Sequence, residues 1–330
     1  MNEIIPGVYQ LQIPIPNNPL GYTNAYLVQG DSECLLIDPG INTDGAFDSL
    51  KSGLSEIGIG IEGITQIIAT HAHGDHYGLS GRVKQISQAK ILLHDADKNF
   101  VNLWALNMDE LIRETEQWLC SNGVPANELP PPWIGPAGTR RIEPISPDII
   151  LHGGETVSSG VFNFQVLWTP GHSPGHVCLY EPTHKIFFSG DHILPVITPN
   201  VSIRSQSDVN PLGDFIKSLN SVKQLDVNLV LPAHEHIFTN LRARVEEIIH
   251  HHQQRNLEIL EAIKVEPKTA YQISHEITWM PELGGVSFQD LALWDKRMAT
   301  TETLAHLEAM RVDGRVDKFT RDSIIYYQHT

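Results

Sequence analysis

The 330-residue sequence predicts an α/β fold in which two β-sheets pack face to face and helices cover the outside. Three observations carry this. Short apolar or alternating runs recur between Gly, Pro and Asn breakers; helical periodicities fall beside them; and the second half repeats the style of the first without repeating its letters. Gly7 to Pro14, Thr23 to Val28 and Cys34 to Asp38 read as strands of a meander, and Ala46 to Ile57 and Leu79 to Ser87 as helices flanking the strand-like run Ile64 to Thr70. From Asp95 to Leu119, Phe100, Leu103, Trp104, Met108, Leu111, Ile112, Trp118 and Leu119 recur at helical spacing, and Pro130-Pro131-Pro132-Trp133 ends the pattern. This is an amphipathic helix or helical hairpin inserted between the halves. Strands then follow at Phe162 to Leu167, Val177 to Tyr180, Ile186 to Phe188 and Asn228 to Leu231, with helices at Leu212 to Gln224 and Leu241 to Lys264. From Pro267 the chain offers helices at Thr269 to Trp279 and Phe288 to Val312, then two short alternating strands, Gly314 to Phe319 and Ser323 to Tyr327. The division expected is a main domain over residues 1–264, with the insertion at about 95–142, and a small domain over 265–330.

The densest chemistry lies directly after the run Ile64 to Thr70. His71-Ala72-His73-Gly74-Asp75-His76 places four metal-binding side chains in six positions. Neutral imidazole and carboxylate suit Zn²⁺ and its borderline relatives. In an extended strand His71 and His73 would share a face, and a sharp turn at Gly74 would let Asp75 and His76 address a neighbouring point, so one loop can serve two ions. A loop merely rich in histidine, in a chain with 17 of them, is the bland alternative. Further ligand types tell against it, because each follows a strand-like run: His172 after Phe164 to Trp168, Asp191 after Lys185 to Phe188, and His234 after Asn228 to Leu231. Strand ends are where α/β scaffolds place their chemistry.

With these residues the chain resembles the metallo-β-lactamase superfamily, whose hydrolases carry a His-x-His-x-Asp-His run followed by a His, a bridging Asp and a final His. The resemblance extends from about Gly7 to about Arg244. It implies the αββα four-layer sandwich, a first metal held by His71, His73 and His172, a second held by Asp75, His76 and His234, and Asp191 bridging both. It also gives Asp38, in Leu36-Ile37-Asp38-Pro39-Gly40, a supporting role behind the metal loop. Two departures sharpen the implication. Lactamases with cysteine at the second metal would need Cys in place of Asp191, and the flavin-linked di-iron branch usually has Glu where His73 stands. The tail is similar to the winged-helix tail of one branch, and glyoxalase II-like thioesterases are among the relatives that the ligand set permits.

The expected function is therefore dinuclear metal-dependent hydrolysis, with two Zn²⁺ ions, or Fe or Mn in their place, sharing a bridging hydroxide that Asp75 orients. His234 serves as a ligand. A small acyl ester or thioester is the expected substrate, because the chain is acidic and its insertion apolar. Three alternatives stand beside it: a phosphodiesterase or endoribonuclease, a mononuclear iron persulfide dioxygenase, and a non-catalytic nucleic-acid-binding regulator. Net charge is −16, and residues 267–330 hold seven Lys and Arg against nine Asp and Glu, a poor balance for phosphate. The tail is thus expected to pack beside the site or to form a homodimer. Arg140, Arg141 and Arg204 are the basic residues suited to an anionic substrate.

Other features bound the setting. A hydrophobic content of 41% supports a sizeable core. Cys34, Cys120 and Cys178 are odd in number and widely spaced, so reduced thiols are expected. The N-terminal segment has no basic stretch before an apolar run, and no run elsewhere approaches spanning length, which points to a cytoplasmic protein off the membrane. His176, His192 and His236 are expected to support the site or to be structural, without ligating, since sequence neighbours point opposite ways along a strand. His94 either faces the site or simply ends a strand. His250-His251-His252 are expected on a partly exposed helix face. The insertion is expected to pack on the sandwich or a second subunit, with a lid over the metals as its functional alternative.

Overall fold

The computed structural model describes residues 1–31, 33–98, 101, 108–129, 145–205, 210–281 and 284–330. In the first sheet β1 (Asn2–Ile5), β2 (Val8–Pro14), β3 (Tyr22–Gln29), β4 (Cys34–Ile37), β5 (Gln66–Ile68), β6 (Lys90–His94) and β7 (Ile149–Leu151) lie in sequence order. Pairing is antiparallel as far as β4 and parallel from β4 to β7. The second sheet comprises β8 (Thr156–Ser159), β9 (Phe162–Trp168), β10 (Val177–Glu181), β11 (Ile186–Gly190) and β12 (Leu229–Pro232), antiparallel except for the parallel pair β11 and β12.

Side-chain alternation sorts these strands between three cores. Leu35 and Ile37 of β4 join Tyr26, Ile68, Phe164, Val166, Leu179 and Phe188 between the sheets. Leu36, pointing the other way, joins Phe47, Leu50 and Leu54 of α1 (Asp44–Ile57) and Val83, two helices further on. Those two are α2 (Gly74–Tyr77) and α3 (Ser80–Ser87). On the second sheet Phe187 turns outward while its neighbours Ile186 and Phe188 turn in. Outside it lie α4 (Met108–Ser121), α5 (Pro211–Val222) and α6 (Leu241–Ala262). The layers run helix, sheet, sheet, helix, as expected from the sequence.

Local signals fix the helix ends. Thr43 Oγ1 accepts from Ala46 N at the start of α1, and Gly58 closes it at φ 83°. Asn210 caps α5 through Gly213 N, with Pro211 in the first turn.

The tail differs from its expected lengths. The first helix, α7 (Ala270–Ser274), opens on a Thr269/Gln272 capping box but stops before Trp279, which instead pairs with Val286 and donates from Nε1 to Ser274 O. Phe288–Asp290 is a separate 3₁₀ turn, so α8 (Leu293–Val312) begins five residues later than the periodicity implies. The hairpin β13 (Val316–Arg321) and β14 (Ile324–His329) completes the chain. Tail residues Ala270, Ile273, Phe288, Leu304, Leu307 and Tyr327 share one continuous core with Phe215, Val245 and Ile248 of α5 and α6.

Of the insertion, α4 is described, and Trp118 packs on that same core. Tyr271 N donates to Asn122 O and Tyr271 Oη to Glu128, joining this segment to the tail. Phe100, Leu103, Trp104 and Pro130 to Trp133 lie outside the described residues. All three cysteines are free, with Cys178 buried. Among the described residues no helix is long and apolar enough to cross a membrane.

Candidate metal centre

Parallel β4, β5 and β6 in one sheet, and β11 and β12 in the other, deliver their following loops to one edge of the sandwich. All seven predicted side chains meet there. They form two groups, His71, His73, His172 with Asp191, and Asp75, His76 with His234, whose donor atoms lie within 4.8 Å of one another in each group.

The first loop is built differently from the expected strand and turn. β5 ends at Ile68, and His71 to His73 follow an irregular path that makes His73 the residue before α2. His71 and His73 therefore share no strand face; His71 Nε2 and His73 Nδ1 meet at 2.8 Å because the chain bends into a helix. Gly74 is the first residue of that helix, and a Cβ there would meet nothing within 4 Å, so its backbone freedom is not what makes the turn.

Four imidazoles are locked by their outer nitrogen. His71 Nδ1 faces Thr70 Oγ1 at 3.1 Å, His76 Nδ1 faces Asp38 Oδ2 at 2.9 Å, His172 Nδ1 faces Asn200 O at 2.8 Å, and His234 Nδ1 faces Tyr22 O at 3.0 Å. The oxygens of Asn200, Tyr22 and Asp38 accept only, and Thr70 Oγ1 spends its own proton on Asp38 Oδ2, so each Nδ1 carries the hydrogen. Nε2 is then the atom that each of these rings turns to the centre.

Asp191 stands between the groups. Its Oδ2 is 3.3 Å from His76 Nε2, 3.5 Å from His172 Nε2 and 3.9 Å from His71 Nε2, while Oδ1 is 3.4 Å from His234 Nε2. Asp75 Oδ2 is 3.5 Å from His234 Nε2 and 3.7 Å from His76 Nε2. His76 Nε2, His234 Nε2 and Asp191 Oδ1 are buried without a hydrogen-bond partner. Buried polar atoms need one, and divalent cations satisfy converging imidazole and carboxylate lone pairs. The residues present fit that group.

The electrostatics divide the imidazoles into two kinds. Burial, reinforced by neighbouring imidazoles, pushes His71 and His73 well below the usual histidine range, the Arg204 guanidinium adding to the effect at His73. Burial also lowers His172. Burial alone would raise Asp191 and Asp75, but His76 and His234 outweigh it and hold both carboxyls ionised. At His76 and His234 burial opposes protonation and the carboxylates of Asp191 and Asp75 win, raising both.

Supporting residues divide into those foreseen and those not. Asp38, at φ 51°, accepts from Thr70 N and Thr70 Oγ1 as well as facing His76, behind the metal loop. His176 Nε2 accepts from Asp191 N at 3.1 Å while its Nδ1 faces Thr169 Oγ1, and His192 is buried outside both donor groups. His236 is exposed. His94 ends β6 and stacks on Trp168 with a ring separation of 5.2 Å. The helix-face reading of 250–252 needs correction at His252, which is buried with Nδ1 3.2 Å from His306 Nε2. Asp97 was not foreseen: its carboxylate accepts from Ala72 N, Ser173 Oγ and Gly175 N, stapling the His71 loop to the His172 loop. Nothing in the letters separates it from Asp95 two positions earlier. Arg140 and Arg141 lie outside the described residues.

Two sheets meeting at an edge lined with imidazoles and carboxylates define a metal-dependent hydrolase. Residues 18–234 match the family model of the metallo-beta-lactamase superfamily, and the chain belongs to that superfamily. It is 25% identical to the probable metallo-hydrolase YqjP of Bacillus subtilis (strain 168), over 97% of both chains. A solved metallo-beta-lactamase family protein from Thermus thermophilus superposes with a TM-score of 0.84 at 30% identity, over 99% of this chain and 100% of that one. The chain is also 28% identical to a Homo sapiens protein named acyl-coenzyme A thioesterase MBLAC2, over 65% of this chain and 74% of the relative.

Proposed function

We propose that the chain is a dinuclear hydrolase of small acyl esters or thioesters. His71, His73 and His172 would hold one divalent cation, Asp75, His76 and His234 a second, and Asp191 both. Zinc suits these donors, with iron or manganese as substitutes. When bound, such ions supply a hydroxide near neutral pH, the pKa of water falling from about 15.7 to roughly 7, and a Lewis acid for the carbonyl oxygen.

The protein's own part is orientation. Asp75, ionised and a quarter exposed at its side chain, would accept a hydrogen bond from that nucleophile and aim it. His234, its Nδ1 committed to Tyr22 O, presents Nε2 as a lone-pair donor and has no proton-shuttle role. Arg204 contributes a fixed positive charge beside His73, which suits a substrate with an anionic portion. The observation that carries the dinuclear reading is Asp191, whose carboxylate faces both donor groups, Oδ2 lying 3.5 Å from His172 Nε2 of one and 3.3 Å from His76 Nε2 of the other, with Oδ1 3.4 Å from His234 Nε2. Likeness to proteins named acyl-coenzyme A thioesterase in Homo sapiens, Gallus gallus and Bos taurus supports the thioester. Free thiols support a cytoplasmic setting.

The test is a parallel assay of metal-loaded protein on a thioester, a lactone, a phosphodiester and single-stranded RNA, with Asp191→Ala as control. Thioester or ester cleavage lost in the variant is the expected result. Cleavage of RNA alone, lost in the same variant, overturns the acyl assignment. Metal analysis of protein purified without added metal should give about two equivalents of zinc; about one of iron would favour an oxidase.

A further inference from the structure

Residues 200–205 run past the metal centre between the tail and the insertion. On the tail side Glu302 Oε2 accepts from Asn200 Nδ2 at 2.8 Å, Thr301 Oγ1 donates to Ser202 Oγ at 3.0 Å, and Ile203 N donates to Thr301 O at 3.3 Å. On the insertion side Thr115 Oγ1 lies 3.3 Å from Ser205 Oγ. Ser202 Oγ in turn donates to Asn200 Oδ1 at 2.5 Å, so both ends of the Asn200 amide are held. The carboxylate of Glu302 can only accept, which fixes the amide nitrogen towards it. The backbone oxygen of this same residue accepts the hydrogen bond from His172 Nδ1.

We propose that α8 is a positioning element of the metal centre, acting from Glu302 through Asn200 on His172. A carboxylate on the tail fixes the Asn200 side chain, the fixed residue presents its carbonyl to His172, and that carbonyl sets the tautomer and the angle at which Nε2 meets a cation. The tail then has a chemical task as well as a packing one. The inference rests on the reading of His172 as a ligand.

The test measures metal affinity by competition between the zinc-free protein and a chromophoric chelator. Wild type, His172→Ala, Glu302→Ala, Glu302→Gln, Asn200→Asp and the double variant Asn200→Asp/Glu302→Gln are compared, with thermal melting in parallel. Loss of an outer hydrogen-bond partner typically weakens metal binding by about 10- to 100-fold, and Glu302, one step further out, should sit near the tenfold end for Glu302→Ala. Glu302→Gln, which keeps an acceptor, should stay near wild type. Asn200→Asp sets two carboxylates against each other and should weaken binding, with recovery in the double variant. Wild-type affinity in both Glu302→Ala and Asn200→Asp, alongside loss in His172→Ala, overturns the positioning role and leaves the ligand reading intact. Unchanged affinity in His172→Ala overturns both. Should Glu302→Ala unfold, Asn200→Asp and its rescue decide the matter.

Discussion

Asp97 shows how a residue with no motif can govern the chemistry of others. Three donors from two loops converge on its carboxylate, and Gly175 is confined against it, since a Cβ there would sit 2.6 Å from Asp97 N. Replacing Asp97 by Asn removes one accepting oxygen, so zinc affinity should fall by about 10- to 100-fold. Chelator competition measures this, and unchanged affinity would refute the staple. A second residue-scale prediction concerns His252, which burial lowers to about 3, His251 and Arg255 adding to the effect. Its folded value lies below the unfolded one of about 6.5, so the buried neutral ring is compatible with folding above that pH. As pH falls from about 6.5 towards 3 the unfolded chain binds a proton the folded one does not, and stability drops by up to about 1.4 kcal/mol per pH unit. Urea unfolding of metal-free protein between pH 7 and pH 5 should show a shallower slope in His252→Gln than in wild type; equal slopes would contradict the account. The seven side chains that meet at the sandwich edge were legible in the sequence because imidazoles and carboxylates stood at strand ends. Asp97 was not, because nothing in the letters separates it from Asp95, and the carbonyls of Asn200 and Tyr22 were not, because a backbone oxygen has no letter.

At the scale of elements, the strands were legible wherever apolar residues alternated or ran between breakers, as in Phe162 to Leu167. Phe164 is fully buried between the sheets, its ring 5.5 Å from that of Phe188. Phe164→Ala should therefore cost about 3–5 kcal/mol, read as a lowered urea midpoint with little change in slope. The helix α2 escaped sequence reading, because four residues, Gly-Asp-His-Tyr, are too few to display a period. Loop glycines also fall outside periodicity. Gly171 has φ 140°, and a Cβ would meet Phe215 Cα at 2.5 Å. Gly171→Ala should push the His172 loop off α5, lowering both melting temperature and zinc affinity; loss of neither would contradict that packing.

For the whole molecule, the tail was legible as helices and a hairpin, but its dependence on the main body was not. Pattern shows which face is apolar and says nothing of which partner it meets. Because Phe288, Leu304 and Tyr327 share a core with Phe215 and Val245, a chain cut after Lys264 should be insoluble or molten, and a sharp thermal transition in that fragment would refute the shared core. The proposed site has a mechanical counterpart. His71, His73, Asp75 and His76 hang from the seven-stranded sheet, whereas His172, Asp191 and His234 hang from the five-stranded one. An ion seated among them would rivet the two slabs at their rim. Mutations deep in the sandwich that let the slabs slide would then first betray themselves as leaking metal, well before the chain unravels.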